Sequence, residues 1–238
     1  MFNMATNFKS FLKRIPVPRQ FAVGAIEWLK LDEFFYRKNI GKYRSFSQAY
    51  QDVFIFEMLE GKRGGVYVEI GANSPIGNSN TFCLEKYYDW TGVSFEIDMP
   101  MVERFNSMRR NKCIGTDATT FDYSGYLERN FFPRQIDYLQ LDIEPANNTY
   151  AALTKLPLDD FRFSVITYEH DNYAYGDEYM HKSRELLRSH GYKLIVPNVS
   201  FGGMDFEDWW IDPSVVPERC YAKYVTKDPV NCEDVFRF

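Results

Sequence analysis

The chain is short of the residues that build metal scaffolds and disulfide frameworks, with four cysteines and three histidines in 238 residues. Cys83, Cys113, Cys220 and Cys232 form no CxxC pair. Scattered thiols exclude a zinc site built on them and fit a reducing cytoplasm better than a disulfide-bonded exterior. Long apolar runs are also missing: the most apolar early stretch, Phe21 to Tyr36, is broken by Glu27, Lys30, Asp32 and Glu33. A transmembrane span needs roughly 18 or more apolar residues, so none is expected. The start has no uninterrupted apolar segment with a small-residue cleavage site, which argues against a signal peptide. There is no internal repeat and no low-complexity segment.

Excess positive charge is lacking too. The chain carries 28 Lys+Arg against 33 Asp+Glu, a net of −5. The distribution is uneven, because residues 1–44 hold nine bases against three acids, a net of +6 that leaves −11 on the remaining 194 residues. A sequence-independent grip on nucleic acid needs clustered Lys and Arg to neutralise phosphates, and a body this acidic excludes it.

What is present suits one sizeable α/β core: 45% of residues are hydrophobic and 18% aromatic. Residues 1–46 read as a basic helical appendage, broken by Pro16 and Pro18, with a helical stretch from about Ala22 to Arg37. Within it Phe8, Phe11, Leu12 and Ile15 recur at helical spacing between Lys9, Lys13 and Arg14, a short basic amphipathic pattern. The domain proper is expected over 47–238. Gln48 to Leu59 predicts a helix, and strands are predicted at Val66–Ile70, Gly92–Ile97, Lys112–Thr116, Ile136–Leu141 and Phe163–Thr167. Helices are expected between them at Asn80–Tyr88, Met99–Arg109, Tyr123–Asn130 and Thr149–Leu156. This alternation specifies βαβ units and a Rossmann-like, doubly wound, mostly parallel sheet with helices on both faces. A long helix over Gly176–His190, a sixth strand at Tyr192–Val196 and a last strand at Cys220–Thr226 complete the expectation, with the aromatic, acidic segment Phe201–Asp212 between the last two.

In such sheets ligands bind outside the carboxyl ends of the strands. The first strand runs into Glu69-Ile70-Gly71-Ala72-Asn73, where glycine lets backbone approach a ligand closely. Asn73 and Ser74 stand where the dinucleotide fingerprint would want glycine, so a nicotinamide dehydrogenase is disfavoured. The second strand ends at Glu96, placed to hold ribose hydroxyls, and the third at Asp117-Ala118. With the glycine turn, these ends read as an adenosine pocket. The fourth and fifth strands end in Asp142-Ile143-Glu144 and Glu169-His170-Asp171, which would bring carboxylates and an imidazole to one cleft and call for a cation or shared proton. Arg104, Arg109, Arg110 and Lys112 read as a solvated face that compensates a helix dipole.

Ser47-Gln48, Val68-Glu69-Ile70-Gly71-Ala72-Asn73, Asn80-Thr81, Trp90-Thr91-Gly92-Val93, Glu96, Asp117-Ala118, Asp137 to Asp142 and Glu169-His170-Asp171 resemble, in order, the FkbM-type branch of class I S-adenosylmethionine-dependent methyltransferases. The resemblance covers roughly residues 47–212. It implies a seven-stranded sheet and a cofactor site at Gln48, Glu69, Gly71, Ala72, Asn73, Asn80, Glu96, Ile97, Asp117 and Ala118. It also implies methylation of hydroxyls on sugars or glycosylated metabolites. Asp142-Ile143-Glu144-Pro145 departs from the usual acidic-glycine sequence, and the basic arm lies outside the shared pattern. By position, similar metal-dependent sugar methyltransferases make Asp142, Glu169 and His170 ligands for manganese or magnesium.

The expected chemistry is in-line methyl transfer, with Asp142 or His170 taking the acceptor proton. Tyr173, Tyr175, Trp209 and Trp210 are expected to stack on the sugar acceptor. The alternative is a catalytically silent protein of this fold that binds glycan or a protein partner. A cytoplasmic location is expected. For the basic arm the expected roles are lidding the cleft, joining a second subunit in a homo-oligomer, or resting peripherally on an anionic membrane.

Overall fold

The computed structural model describes residues 33–227 and 229–236. The basic amphipathic segment and most of the Ala22–Arg37 helix lie outside the described residues. A small hairpin, β1 (Lys38–Ile40) and β2 (Tyr43–Ser45), leads into α1 (Gln51–Met58). Then follow β3 (Val66–Ile70), α2 (Phe82–Tyr88), β4 (Thr91–Glu96), α3 (Met99–Met108), β5 (Lys112–Gly115), α4 (Tyr123–Arg129) and β6 (Gln135–Leu141). The chain continues through α5 (Ala146–Lys155), β7 (Arg162–Glu169), α6 (Asn172–Tyr175), α7 (Glu178–Ser189), β8 (Lys193–Phe201), β9 (Met204–Ile211), α8 (Glu218–Tyr221) and β10 (Val230–Asn231).

The main sheet has the order β10-β8-β9-β7-β6-β3-β4-β5. Strand order reverses at β3, which pairs in parallel with both β4 and β6, and that crevice is where such sheets take ligands. Within this sheet, among the described residues, only β9 runs antiparallel, between β7 and β8. Seven strands match the expected Rossmann-like architecture, and the two-residue β10 adds an eighth at the edge. Two apolar clusters, one around Phe54, Trp90 and Trp209 and one around Leu139, Phe163 and Trp210, pack the sheet.

Two late elements differ from expectation. Phe201–Asp212 is not a loop: Met204–Ile211 is the antiparallel strand, reached through Gly202 and Gly203 at φ 63° and 84° with Phe201 paired to Met204. Paired positive φ values match the right-handed twist of the flanking strands, so this glycine pair makes a tight hairpin. Cys220–Thr226 is no strand but α8 followed by a 3-10 turn at Ala222–Tyr224. Residues 38–46, assigned on sequence to the appendage, pack on the domain: Lys38 Nζ donates to the carbonyls of Ser47 (3.1 Å) and Gln48 (2.8 Å), and the buried Asp52 carboxylate accepts from Ser45 Oγ (2.7 Å) and Phe46 N (2.9 Å).

Candidate active site

The turn after β3 is built around one obligatory glycine. Gly71 sits at φ 88°, and a Cβ there would overlap the carbonyl of Asp142, whose own N–H donates to Ile70 O at 2.9 Å. The loop that follows is stapled by Arg109. This side chain is buried, not part of a solvated face: it donates to Glu85 (2.9 Å), to the Pro75 carbonyl (2.9 Å) and to Thr81 Oγ1 (3.1 Å), and it lies 4.6 Å from the Phe105 ring centroid. Its desolvation is offset by these charge-assisted bonds and by the Glu85 carboxylate.

Polar groups cross one face of the sheet in register. Ser94, Glu69, Gln140 and Thr167 are neighbours on β4, β3, β6 and β7. Glu69 is 1% exposed and accepts from Ser94 Oγ (2.5 Å) and Thr81 Oγ1 (2.9 Å). Burial pushes its carboxyl up to about 7, against the opposing charge of Arg109. Gln140 is 4% exposed, and its Oε1 has no hydrogen-bond partner in the structure. A buried acceptor left unpaired costs about 1–3 kcal/mol, so this oxygen is set for a donor from a ligand.

Gln140, Glu69, Gly71, Asn73 and Asp142 line a cleft of about 200 Å³ at the carboxyl ends of β3 and β6, with Ala72 also in its wall. Tyr36 and Gln48 close its far side. The Tyr36 ring covers Gly77, where any Cβ would strike it, and Gln48 is held by Lys38 and by the bridge between Ser47 and Asn78. Asn80 does not line the cleft; it is buried beneath the loop, and Asn78 stands in the wall instead. At the β4 end Glu96 is fully oriented by backbone, with Oε2 accepting from Asn73 N (2.8 Å) and Oε1 from Ile97 N (2.8 Å) and Asp98 N (3.0 Å). Ile97 beside it is 71% exposed, an apolar face with no cover. Asp117 is exposed and ordered by Thr119 through Oδ1, which holds its carboxyl below the usual range, and Ala118 is buried next to it.

Charge is sorted along the strands. Their beginnings carry Lys62 and Arg63 before β3, Lys112 on β5, Arg134 before β6, Arg162 on β7 and Lys193 on β8, whereas the ends carry Glu69, Glu96, Asp117, Asp142 and Glu169. A larger depression of about 570 Å³, lined by Glu57, Glu60, Arg219 and Lys223 among others, lies at the beginnings. Its carboxylates are already paired, Glu60 with Arg219 and Glu57 with Lys223, which leaves the smaller cleft at the strand ends as the candidate site.

Asp142 and Glu169 meet on the cleft face. Glu169 is pushed far up by burial and by the charges of Asp142, Asp171 and Glu207, and Asp142 is raised by burial and by Asp171 and Glu144. Hydrogen bonds from Glu169 to Asp142 and Asp171 draw both back down. Like charges this close do not all ionise, and Glu169 is the member driven furthest towards its protonated form. His170 does not join them. Consecutive residues of an extended chain point to opposite faces, and the His170 ring faces Asp208, with Nε2 3.5 Å from Oδ1, while its Nδ1 accepts from Asn172 N at 3.3 Å. His170 is fully buried, and Asp208 is also held by Arg184 at 2.7 Å. The expected set Asp142, Glu169 and His170 therefore does not converge on one ion, and His170 is not placed as a base. Among the described residues no three His, Cys, Asp or Glu side chains are grouped to hold a metal.

Comparison with known proteins decides the family. The model of the methyltransferase FkbM domain matches residues 53–194, more than half of the chain. The chain belongs to the FkbM methyltransferase family. No curated protein matches the sequence. Solved structures match the fold: an O-methyltransferase from Bacillus cereus, crystallised with S-adenosylhomocysteine, is 16% identical over 89% of this chain and 100% of its own, with a TM-score of 0.51. A Klebsiella pneumoniae protein described as an O-methyltransferase is 12% identical over 87% and 96% of the two chains, with a TM-score of 0.50.

S-adenosylmethionine is the cofactor of this FkbM domain, and the residues fit it. The acidic end of the sheet suits a cofactor bearing a sulfonium and an ammonium, the uncovered Ile97 suits an apolar ring, and the Gln140 oxygen awaits a donor. Of the expected acceptor residues, Tyr173 and Tyr175 are 53% and 44% exposed on α6, one turn past the carboxyl cluster. Trp209 and Trp210 are not acceptor contacts. Both are fully buried in β9, Trp209 packed against Phe54 with tilted rings whose centroids lie 4.7 Å apart and donating to Glu207 at 2.6 Å. Gln140, Lys38 and Tyr36 were not among the site residues expected from the sequence. For Gln140 a signal existed: it shares alternation parity with Asp142, so both belong to the cleft face.

Proposed function

We propose that this FkbM-family chain methylates a hydroxyl of a sugar, free or in a glycan or glycosylated metabolite, with Asp142 as the proton acceptor. S-adenosylmethionine, when bound, supplies an electrophilic methyl group on a sulfonium. The reading is carried by Asp142, which lines the cleft while sharing a buried proton system with Glu169 and Asp171. Asp142, on the wall of the cleft, would accept the proton that the sugar hydroxyl loses as its oxygen takes up that methyl group. Burial raises the basicity of Asp142, and base catalysis is most effective when the pKa approaches the working pH. The protonated Glu169 keeps Asp142 oriented. Tyr173 and Tyr175 present aromatic faces beside the acids, an arrangement suited to a sugar ring with its hydroxyls donated to carboxylates.

The test is transfer of radiolabelled methyl from S-adenosylmethionine to a panel of sugars and glycosides. Asp142→Asn is expected to lose about 10²–10⁴-fold in kcat while retaining S-adenosylhomocysteine affinity. Because only the deprotonated form accepts a proton, the wild-type rate is expected to rise with pH through the raised carboxyl titration. A full rate in Asp142→Asn, or labelled nitrogen rather than oxygen products, would overturn the assignment.

A further inference from the structure

A further pocket, of about 210 Å³, lies where the strands begin, away from the cofactor cleft, and is lined by Lys42, Arg44, Arg63, Cys83, Tyr87 and Tyr88. Its walls carry three cations and no carboxylate. We propose that this pocket binds a phosphate group, on a lipid headgroup or on a soluble phosphorylated molecule.

The cations are already arranged. Lys42 Nζ lies 5.0 Å from the Tyr43 ring centroid, Arg44 Cζ 5.4 Å from Tyr87 and Arg63 Cζ 5.6 Å from Tyr88. Stacking on tyrosine limits their freedom and lowers the entropy lost on closing around an anion. Among the described residues Lys42 and Arg44 form no ion pair. Arg63 is bridged to Asp89 at 2.5 Å, with both side chains more than 60% exposed, and a surface pair of that kind is weak enough to exchange for a better anion. Of the other acids around it, Glu33 is engaged by Lys86 (3.4 Å) and by the Tyr87 hydroxyl (3.1 Å), and Glu57 and Glu60, which line the adjoining depression with Lys42, are paired with Lys223 and Arg219. Three cations against one anion call for more than a single carboxylate charge, and guanidinium forks match phosphate oxygens two at a time. The backbone beneath is firm, because the buried Cys83 thiol donates to the Arg44 carbonyl at 3.2 Å.

Calorimetric titration of the full chain with inorganic pyrophosphate at low salt tests this. Saturable binding is expected, weakening as salt screens it and falling at least about tenfold in the Lys42→Gln/Arg44→Gln double variant. Arg63→Gln, on a separate loop, is expected to weaken it too and keeps the test valid if the hairpin variants fold poorly. Unchanged S-adenosylhomocysteine affinity in these variants shows that the cleft is intact. Flotation with phosphatidylglycerol-containing vesicles, but not with phosphatidylcholine alone, and competed by pyrophosphate, identifies the lipid headgroup as the source. Pyrophosphate binding without flotation identifies a soluble phosphate. No saturable pyrophosphate binding, or binding unchanged in both variants, overturns the proposal.

Discussion

Replacing Glu207 by glutamine is expected to stabilise the protein at high pH and leave it nearly unchanged at low pH. Glu207 is 1% exposed on β9, and its Oε2 accepts from Gln51 Nε2 (2.9 Å) and Trp209 Nε1 (2.6 Å). A glutamine oxygen in that position keeps both bonds. Burial, helped by the charge of Asp142, pushes the carboxyl from 4.5 up to about 8, so the folded protein holds the proton more tightly than the unfolded chain. Stability from the protonated form is complete below pH 4.5 and is lost as pH rises towards 8, where the folded protein must bury an anion. At about 1.36 kcal/mol per unit, the loss amounts to about 4–5 kcal/mol, a large share of the 5–15 kcal/mol available to a typical domain. Urea unfolding of wild type and Glu207→Gln at acidic, neutral and mildly alkaline pH measures it. The gap between the two is expected to open by several kcal/mol across that range in favour of the variant. Curves that stay parallel within about 1 kcal/mol would refute the assignment of Glu207 as a buried, proton-holding acid.

Three other outcomes follow. Gly71→Ala combines a left-handed φ with overlap of the Asp142 carbonyl and is expected to cost at least about 2–3 kcal/mol in thermal or urea unfolding, with loss of cofactor affinity. Gln140→Leu removes an unpaired buried acceptor, so the apo protein should be no less stable while S-adenosylhomocysteine binding measured by calorimetry weakens about tenfold. His170→Ala should cost about 2–3 kcal/mol of stability through the exposed cavity and the loosened Asp208, yet keep kcat within a few-fold, because the ring faces away from the cleft.

Much of the fold was legible because its signals are local. The run Val66–Ile70 is apolar but for Glu69 and bounded by Gly65 and Gly71, and the structure places a strand over the same residues. The β9 strand was not legible in the same way. Acids interrupt its apolar residues, and only the fold shows Glu207 held by Gln51 and Trp209, and Asp208 by Arg184 and by the N–H of Asn198. Partners for these groups come from distant elements, which no local pattern shows. Gly202-Gly203 was the available signal, since two glycines between apolar runs mark a hairpin. Arg109 was lost for the same reason as β9: a base among bases looks solvated until the loop it staples is in view. For the site, the strand-end carboxylates pointed to the cleft, but alternation separates His170 from Glu169. Treating adjacent residues as partners ignored the two-residue period of the strand.

The claim on which the account rests is that the cleft at the ends of β3, β4 and β6 holds the methyl-donor cofactor. Calorimetric titration with S-adenosylhomocysteine tests it most directly, in wild type and in Glu96→Ala, whose carboxylate is aligned by three backbone N–H groups at the β4 end. The account predicts saturable binding at one site per chain and an affinity at least about tenfold lower in the variant. No saturable binding by the folded wild type, or equal affinity in the two proteins, would contradict it.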